Sequence, residues 1–303
     1  MATEFPPAAA EAPSFRQDLA VLTKVRLNTF VLITTVFGFV LATQTLDQAW
    51  TGRHWLLLLN TIVGTACAAF GSAAFNQLME IEQDLRMQRT ADRPLPSRRM
   101  GPTLAFGIGW ILSAFGIIHL SATVSPAAAS LAAITLGSYV FVYTPLKRRS
   151  SVNTLVGAIP GAIPPMIGWA GAGADALGSG SWFLFALLFF WQLPHFVAIN
   201  WLCREDYEEA GYKMWANGDV SGQRSALIAF GFGIPLALCG LVPPLLGLSS
   251  WWAGVCAALA GLAVALLALQ FRKDPTRDSM RRLFFSTLIY LPVVIVVYSL
   301  GWN

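Results

Sequence analysis

Three polar residues spaced four apart, Asn76, Glu80 and Asp84, begin where a long apolar segment ends. On an α-helix, residues four apart lie on one face, about 6 Å from each other along the axis. Two carboxylates and an amide oxygen at that pitch suit Mg²⁺, which is usually held by one or two carboxylates together with substrate phosphates. The spacing predicts a metal and phosphate site. The alternative is a solvated helix end whose charges pair with one another.

Three features of the neighbouring sequence favour the metal site. Asn76 sits at the border of the apolar segment, where a polar group is costly without a task. Arg89 and Arg93 follow the carboxylates and supply groups that bind anions. Pro94 and Pro96 then end the helix and turn the chain back over the site. We therefore expect metal-binding and anion-binding groups side by side.

A second acidic segment covers residues 204–214. Asp206 follows the apolar residues of a later segment, in a position that we equate with that of Glu80. Two acidic clusters that face each other across a helical bundle can hold two metal ions around a diphosphate. We therefore predict Asp206 as a metal ligand with Glu80 and Asp84.

A third candidate group lies between the two acidic segments. Tyr143 and Lys147 share one helical face if Pro145 permits a further turn. Lys147 would then provide a cation for a leaving phosphate, and Tyr143 a hydrogen bond or a ring beside a carbocation. The alternative for the basic run 147–149 is a topological anchor at the membrane surface.

The elements that position these residues are membrane helices. Of the 303 residues, 55% are hydrophobic and 12% are charged, whereas a soluble domain carries about 25% charged residues. A span needs about 20 apolar residues, which predicts an all-α, polytopic bundle of nine transmembrane helices. The predicted spans are 28–46, 55–75, 102–120, 127–145, 152–171, 181–203, 225–246, 251–271 and 283–301.

The charged residues predict the orientation of this bundle. All 20 Lys and Arg residues except Arg53, and all 16 Asp and Glu residues except Asp47 and Asp175, fall on one side of the predicted spans. The positive-inside rule makes that side cytoplasmic. We expect a cytoplasmic tail over 1–27, a transmembrane domain over 28–303 and an active site at the cytoplasmic face. The first 20 residues lack the order of a signal or transit peptide, which favours a bacterial plasma membrane.

A metal–diphosphate site that opens into an apolar bundle suits the transfer of a prenyl chain to a lipophilic acceptor. Cations neutralise the leaving diphosphate so that the allylic C–O bond ionises, and the helices exclude the water that would quench the carbocation. We expect the lipid bilayer as the surroundings and no nucleic-acid partner.

At this point the sequence resembles a known family. The run Asn76-x3-Glu80-x3-Asp84 resembles the first acidic motif of the UbiA-type intramembrane prenyltransferases, whose fold is a nine-helix bundle. Five further strings are similar to the protoheme IX farnesyltransferase (heme O synthase) branch of that family. They are Leu22-Thr23-Lys24-x-Arg26; Met87-x-Arg89-Thr90-x2-Arg93-Pro94-Leu95; Tyr143-Thr144-Pro145-Leu146-Lys147-Arg148; the stretch 157–169; and Trp191-Gln192-x-Pro194-His195-Phe196 leading to Arg204-Glu205-Asp206-Tyr207.

The resemblance implies farnesyl diphosphate as donor, heme b as substrate and acceptor, one or two Mg²⁺ ions and heme O as product. A heme A synthase or oxidase assembly factors are possible partners. The residues carried over are Asn76, Glu80 and Asp84 for Mg²⁺–diphosphate; Arg89, Arg93 and Lys147 for phosphate oxygens; Lys24 and Arg26 for heme propionates; and Arg148 and Arg204 as further substrate-binding cations.

This chain departs from the family pattern at two acidic positions. Many relatives have Asp where this chain has Glu80, which keeps the carboxylate on a longer arm. The second motif of the wider family has two Asp residues four apart, whereas Asp206 is followed four residues on by Ala210. The departure at Ala210 leaves the share of Asp206 in metal binding open.

His195 is a candidate for contact with the heme, because an intramembrane histidine is a functional candidate and imidazole is a common heme ligand. The alternative is a core histidine that hydrogen-bonds a neighbouring helix. Two other functions stay open from the sequence. They are a UbiA-type transferase for an aromatic or quinone-precursor acceptor, and a membrane heme carrier or transporter.

Overall fold

Long apolar helices form most of the residues that the computed structural model describes, 13–303. Residues 1–12, the first part of the predicted N-terminal tail, lie outside the described residues. Within 13–303 the one β-type pairing is an isolated bridge between Ser249 and Trp302. The prediction of an all-α, polytopic membrane protein is confirmed.

The helices in chain order are α1 (Phe15–Leu22), α2 (Val25–Thr45), α3 (Gly52–Met79), α4 (Ile81–Arg86), α5 (Pro102–Thr123), α6 (Pro126–Gly137), α7 (Thr144–Leu146), α8 (Asn153–Ala162), α9 (Pro164–Gly171), α10 (Ser179–Leu202), α11 (Arg204–Glu209), α12 (Gln223–Cys239), α13 (Val242–Leu245), α14 (Trp251–Lys273) and α15 (Arg277–Gly301). A π-helical segment, Ser138–Tyr143, joins α6 to α7 without a break.

Within 13–303, eight of the nine predicted spans are long apolar helices that could each cross a membrane. The predicted span 152–171 instead forms α8 and α9, because Pro164 lacks an N–H group and its ring blocks a continuous helix. The pair still runs through the bundle. Asn153 donates to the Lys213 carbonyl at one end (2.6 Å), and Ser125 donates to the Ala170 carbonyl at the other (3.3 Å). A nine-helix count therefore treats α8 and α9 as one interrupted span.

The interrupted span packs closely against α2. A Cβ atom at Gly168 would overlap the backbone carbonyl of Thr35. Small residues at a membrane-helix interface allow two backbones to approach this closely and gain van der Waals contact. The Gly- and Pro-rich composition of 152–171 thus places α9 directly on α2.

The first helix, α1, packs against α3. Its residues, 15–22, lie within the predicted cytoplasmic tail, 1–27. Asp18 and Leu22 are buried. Arg99 donates to both carboxylate oxygens of Asp18 and also binds Asp92. These contacts tie α1 to the loop that follows α4, so the described part of the N-terminal region belongs to the folded domain.

Two long helices end at the same face of the bundle, and each continues into a short one. α3 breaks at Glu80 before α4, and α10 breaks at Cys203 before α11. We call this end the charged face; it comprises the α1–α2 turn, residues 80–101, residues 147–152 and residues 203–222. All candidate site residues except His195 lie at or beside it.

Candidate active site

The predicted column Asn76, Glu80 and Asp84 is buried at the charged face, with exposed fractions of 0%, 5% and 1%. The three residues do not lie on one continuous helix, because Glu80 has φ −111° and ψ 11° and ends α3. The Asp84 amide still donates to the Glu80 carbonyl at 2.8 Å. A break of this kind keeps both carboxylates within the bundle.

Glu80 is paired with Lys147, whose Nζ donates to Oε1 at 2.7 Å. Burial disfavours both charges, but each stabilises the other: the pKa of Glu80 lies below its usual value and that of Lys147 well above. The Lys147 ammonium also lies 4.6 Å from the Tyr143 ring centroid. Gly157 leaves room for that ring, since a Cβ atom there would overlap it.

Asp84 is paired with Arg93, whose Nη1 donates to both carboxylate oxygens at 2.9 and 2.7 Å. Burial raises the pKa of Asp84, and the Arg93 guanidinium offsets this only in part. The loop is held in place by Thr90, which donates to the Asp84 carbonyl at 2.9 Å. Arg93 is therefore fixed over the carboxylate by the turn that precedes Pro94.

Asn76 connects the N-terminal turn to the π-helical segment. Its Oδ1 accepts a hydrogen bond from Lys24 Nζ, and its Nδ2 donates to Thr144 Oγ1 at 3.1 Å. Thr144 in turn donates to the Tyr139 carbonyl at 2.8 Å. π-helical turns are frequent at functional sites because they shift the register of the side chains that follow. Here the turn places Thr144 beside Asn76.

Lys24 reaches the site from an unusual backbone conformation, the left-handed region with φ 48°. Three buried side chains hold this turn. Gln77 Nε2 donates to the carbonyls of Val21 (2.6 Å) and Leu22 (3.1 Å). Thr23 Oγ1 donates to the Leu19 carbonyl, and Asn28 Nδ2 donates to the Thr23 carbonyl. Burial lowers the pKa of Lys24 to about 7.

Gln77 was missed by the sequence reasoning. Its signal was a second amide directly after Asn76, at a span end where one polar residue had already been assigned a role. Strained conformations persist where the surrounding structure over-determines them, and they cluster at functional sites. We therefore regard Gln77 as a positioning residue for Lys24.

These contacts define an ion cluster, made of Lys24, Asn76, Glu80, Asp84, Arg93 and Lys147. Three cationic side chains face two carboxylates, so the fully charged cluster carries a surplus positive charge. A prenyl diphosphate has more negative charge than one Mg²⁺ neutralises, and their complex is therefore anionic. The cluster complements such a complex.

The donor set also fits Mg²⁺. Asn76, Glu80 and Asp84 present amide and carboxylate oxygens, and an ion that shares one or two carboxylates with substrate phosphates needs no larger protein cage. Among residues 13–303, no group of three His, Cys, Asp or Glu side chains could hold a metal ion by itself. The oxygen donors would therefore act together with the diphosphate.

Asp206 is not gathered with Glu80 and Asp84. It lies 3.9 Å from Arg89 across a pair whose side chains are 37% and 45% exposed, while the Arg89 guanidinium lies 5.5 Å from the Tyr207 ring centroid. The backbone counterpart of Glu80 is Cys203, not Asp206, because Cys203 is the residue at which α10 breaks. Asp206 therefore lies three residues beyond the backbone counterpart of Glu80, and its part in metal binding stays a prediction.

The remaining predicted residues lie around the cluster or away from it. His195 is in α10, with Nδ1 2.9 Å from Thr287 Oγ1 and its ring stacked on Trp191 and Phe284. Arg204 lies over the Trp201 ring at 4.6 Å and pairs with Glu205. Arg26 and Arg148 are exposed at the charged face.

Residues 31–289 match the UbiA prenyltransferase family. The chain belongs to this family. The UbiA fold is also that of solved structures similar to this chain. They include a digeranylgeranylglyceryl phosphate synthase (TM-score 0.76, 15% identity, covering 94% of this chain and 98% of that one). A UbiA homolog from Archaeoglobus fulgidus bound to GPP and Mg²⁺ has a TM-score of 0.59 at 13% identity, covering 93% and 99%.

Within the UbiA family, the chain is similar to proteins named protoheme IX farnesyltransferase. It is 42% identical to that of Solibacter usitatus over 289 residues, covering 92% of this chain and 96% of the relative. It is 39% identical to that of Opitutus terrae over 279 residues, covering 92% of each. The mitochondrial relative of Arabidopsis thaliana is 39% identical over 272 residues, covering 90% of this chain and 62% of the relative.

Proposed function

We propose that this UbiA-family protein transfers a farnesyl group from farnesyl diphosphate to a vinyl group of heme b and so forms heme O. The carrying observation is the 39–42% identity to protoheme IX farnesyltransferases over nine tenths of the chain. The positively charged ion cluster at the end of an apolar bundle supports the donor half of this reaction. A second acceptor class has no observation in its favour.

In the reaction, the C–O bond to the diphosphate breaks and the leaving group keeps the electron pair. The farnesyl carbon bonds to a vinyl carbon, and a water oxygen bonds to the neighbouring carbon with loss of a proton. Mg²⁺, when bound, would neutralise charge on the leaving oxygens. Asn76, Glu80 and Asp84 are the residues that would hold it.

The cations of the site bind and orient the diphosphate in this proposal. Arg93 and Lys147 already point at the buried carboxylates, and each has further N–H donors for phosphate oxygens. Arg89 stands at the rim on the side of Tyr207 and would bind the outer phosphate. The Tyr143 ring, beside Lys147, faces the site where an allylic cation forms and stabilises it.

The structure alters the role that we give to Lys24. Because Lys24 binds Asn76 within the ion cluster, we assign it to the diphosphate and not to a heme propionate. Arg26, exposed two residues later, is the better candidate for a propionate, with Arg148 and Arg204 as further cations at the same face. His195 would contact the heme through Nε2, since Nδ1 is engaged by Thr287.

An apolar groove between α2 and α15 is a candidate for the heme edge. α15 also carries Thr287, the hydrogen-bond partner of His195. The groove is lined by Thr29, Leu32, Ile33, Val36, Phe37, Val40, Ile295 and Ser299. It would let a flat, lipophilic acceptor enter from the bilayer. We place the protein in a bacterial plasma membrane with the charged face cytoplasmic, where a heme A synthase or oxidase assembly factors would receive the product.

An assay with purified protein tests the proposal. Heme b, farnesyl diphosphate and Mg²⁺ are incubated with the protein in detergent, and the hemes are separated by reversed-phase chromatography and weighed by mass spectrometry. We expect a later-eluting heme heavier by one farnesyl group and one hydroxyl group. Reactions without Mg²⁺ or with inorganic diphosphate alone are the blanks. Absence of the heavier heme in the complete reaction contradicts the proposal.

A matched pair of variants tests the site. Glu80→Ala removes the buried carboxylate that pairs with Lys147, whereas Glu82→Ala removes an exposed carboxylate two residues away. We expect Glu80→Ala to reduce heme O formation at least about 100-fold, the scale for loss of one preorganised charged group, and Glu82→Ala to change it less than about twofold. Equal activities would remove Glu80 from the site.

A further inference from the structure

Tyr212 is brought to the ion cluster by a tightly held turn of the loop after α11. Gly211 has φ +77°, a conformation that favours glycine. The Lys213 amide then donates to the Lys147 carbonyl at 2.7 Å, and Asn153 Nδ2 donates to the Lys213 carbonyl at 2.6 Å. The residues on either side of Tyr212 are therefore fixed relative to Lys147.

The Tyr212 ring lies against the ion cluster. It is 4% exposed and packs with Met87, Ala210 and Met214. Its centroid lies 5.8 Å from Lys147 Nζ. The segment 204–214, which carries Asp206 in α11, thus reaches the ion cluster with the Tyr212 ring and not with a carboxylate.

The Tyr212 hydroxyl is buried and makes no hydrogen bond to any residue among 13–303. A buried polar group without a partner costs free energy, so such a group needs an explanation. A tyrosine hydroxyl is protonated at neutral pH and can donate a hydrogen bond. The Glu80 carboxylate lies beside the hydroxyl as a competing acceptor, but the two groups do not meet the geometric criteria of a hydrogen bond.

Tyr290 provides an internal comparison. Its hydroxyl is also buried without a partner among the described residues, with a side chain that is 2% exposed. Tyr290, however, lies in the membrane-spanning helix α15 and packs among the apolar side chains of the core. Tyr212 differs because it lies beside the ion cluster, with its ring centroid 5.8 Å from Lys147 Nζ.

We propose that the Tyr212 hydroxyl donates a hydrogen bond to a phosphate oxygen of the prenyl diphosphate. This inference rests on the proposed function and adds a ligand that the motifs did not include. A neutral donor needs an acceptor, and the acceptor that a surplus of cations attracts is an anionic oxygen. The second acidic segment, residues 204–214, would then contribute a hydrogen bond to the diphosphate through Tyr212.

Binding measurements on Tyr212→Phe and Tyr290→Phe test this inference. Each variant removes one buried, unpartnered hydroxyl and keeps the ring. Three probes are titrated in the presence of Mg²⁺: farnesyl thiolodiphosphate, which ionises poorly; inorganic diphosphate; and heme b. For Tyr212→Phe we expect about tenfold weaker binding of both diphosphates, about 1.4 kcal/mol, and unchanged binding of heme b. Tyr290→Phe should match the wild type with all three probes.

The outcomes separate the inference from the proposed function. If the wild type binds neither diphosphate, both are overturned. If the wild type and Tyr212→Phe bind the diphosphates equally, or if Tyr212→Phe loses heme b affinity instead, Tyr212 is not a phosphate ligand and the proposed function stands. A melting temperature of Tyr212→Phe well below that of Tyr290→Phe would show that the hydroxyl has a structural partner, which also overturns the inference.

Discussion

The two long helices α3 and α10 end with the same backbone break and then diverge in chemistry. Glu80 has φ −111° and ψ 11°, and Cys203 has φ −110° and ψ 20°. Each break is followed by a six-residue helix. The same local geometry therefore turns the chain at two places of the charged face.

The side chains at matching positions have opposite characters. Four residues before the break, α3 has Asn76 where α10 has Ile199; four residues after it, α4 has Asp84 where α11 has Tyr207. The first break buries ionised groups, and the second supplies aromatic and apolar cover. The comparison shows that the same backbone break can carry ionised side chains at one place and aromatic or apolar side chains at another.

The largest expected effect separates Asp84 from its counterpart. Asp84→Asn removes one of the two carboxylates of the ion cluster and leaves Arg93, which is 22% exposed, without its partner. On the scale for loss of one preorganised group, we expect heme O formation to fall by about 100-fold to 1,000-fold. Tyr207→Phe should lower it less than about threefold. Initial rates of heme O formation measure both. Similar losses in the two variants would show that the breaks are chemically equivalent.

A carboxylate introduced at position 210, directly after α11, should destabilise the protein and should not create a metal site. Ala210 is 2% exposed against Met87 and Tyr212, so Ala210→Asp buries an unpaired charge at a cost of about 2 kcal/mol or more. We expect a lower melting temperature in detergent and no increase in Mg²⁺ affinity. The control is Glu209→Gln, an exposed change beside it. A Mg²⁺-dependent rise in the stability of Ala210→Asp would contradict this.

Each break is preceded, three residues earlier, by a polar residue: Gln77 in α3 and Asn200 in α10. Substituting these two residues tests whether Gln77 positions Lys24. Gln77→Leu removes two hydrogen bonds to the α1–α2 turn, so Lys24 loses its fixed place and we expect KM for farnesyl diphosphate to rise about tenfold, a loss of about 1.4 kcal/mol. Its counterpart Asn200 makes a 3.5 Å contact with Thr154, and Asn200→Leu should leave KM nearly unchanged. A rise in KM for heme b alone would contradict the assignment of Lys24 to the diphosphate.

The smallest effect is expected for a substitution in α11, at Asp206. Asp206 and Arg89 form an exposed pair at 3.9 Å, and such pairs contribute about 0–1 kcal/mol. Asp206→Asn should therefore change the rate by about twofold at low ionic strength and not at all in high salt, where exposed charges are screened. Rates measured across a salt series decide this. A loss as large as that of Asp84→Asn would make Asp206 a metal ligand after all.

Much of the fold and the position of the acidic column could be predicted from the sequence. Spans of apolar residues are set by bilayer thickness, and the column Asn76, Glu80 and Asp84 follows from helical spacing, although the break at Glu80 does not. Pro164 was visible in the sequence, but whether a proline kinks a membrane helix or divides it depends on the neighbours that satisfy the freed backbone groups.

The unpredicted parts of the site are contacts between distant segments. Lys24 and Asn76 are 52 residues apart, and Lys147 and Glu80 are 67 apart. No periodicity reports such a pair, because spacing describes one element at a time. Tyr212 was hidden for the same reason: Gly211 and Lys213 flank it in the sequence, whereas its contact is the distant Lys147.

The wide separation of the cluster members along the chain has a consequence for biogenesis. Proteins fold from the N-terminus as they are synthesised, so Glu80 and Asp84 enter the membrane region before Lys147 exists to neutralise Glu80. In a nascent chain that ends before Lys147, Glu80 must stay hydrated at the bilayer surface, because a buried charge without its partner is costly. Residues 210–214 then arrive and cover the cluster. The site can therefore close only once the chain through α11 and residues 210–214 has been made.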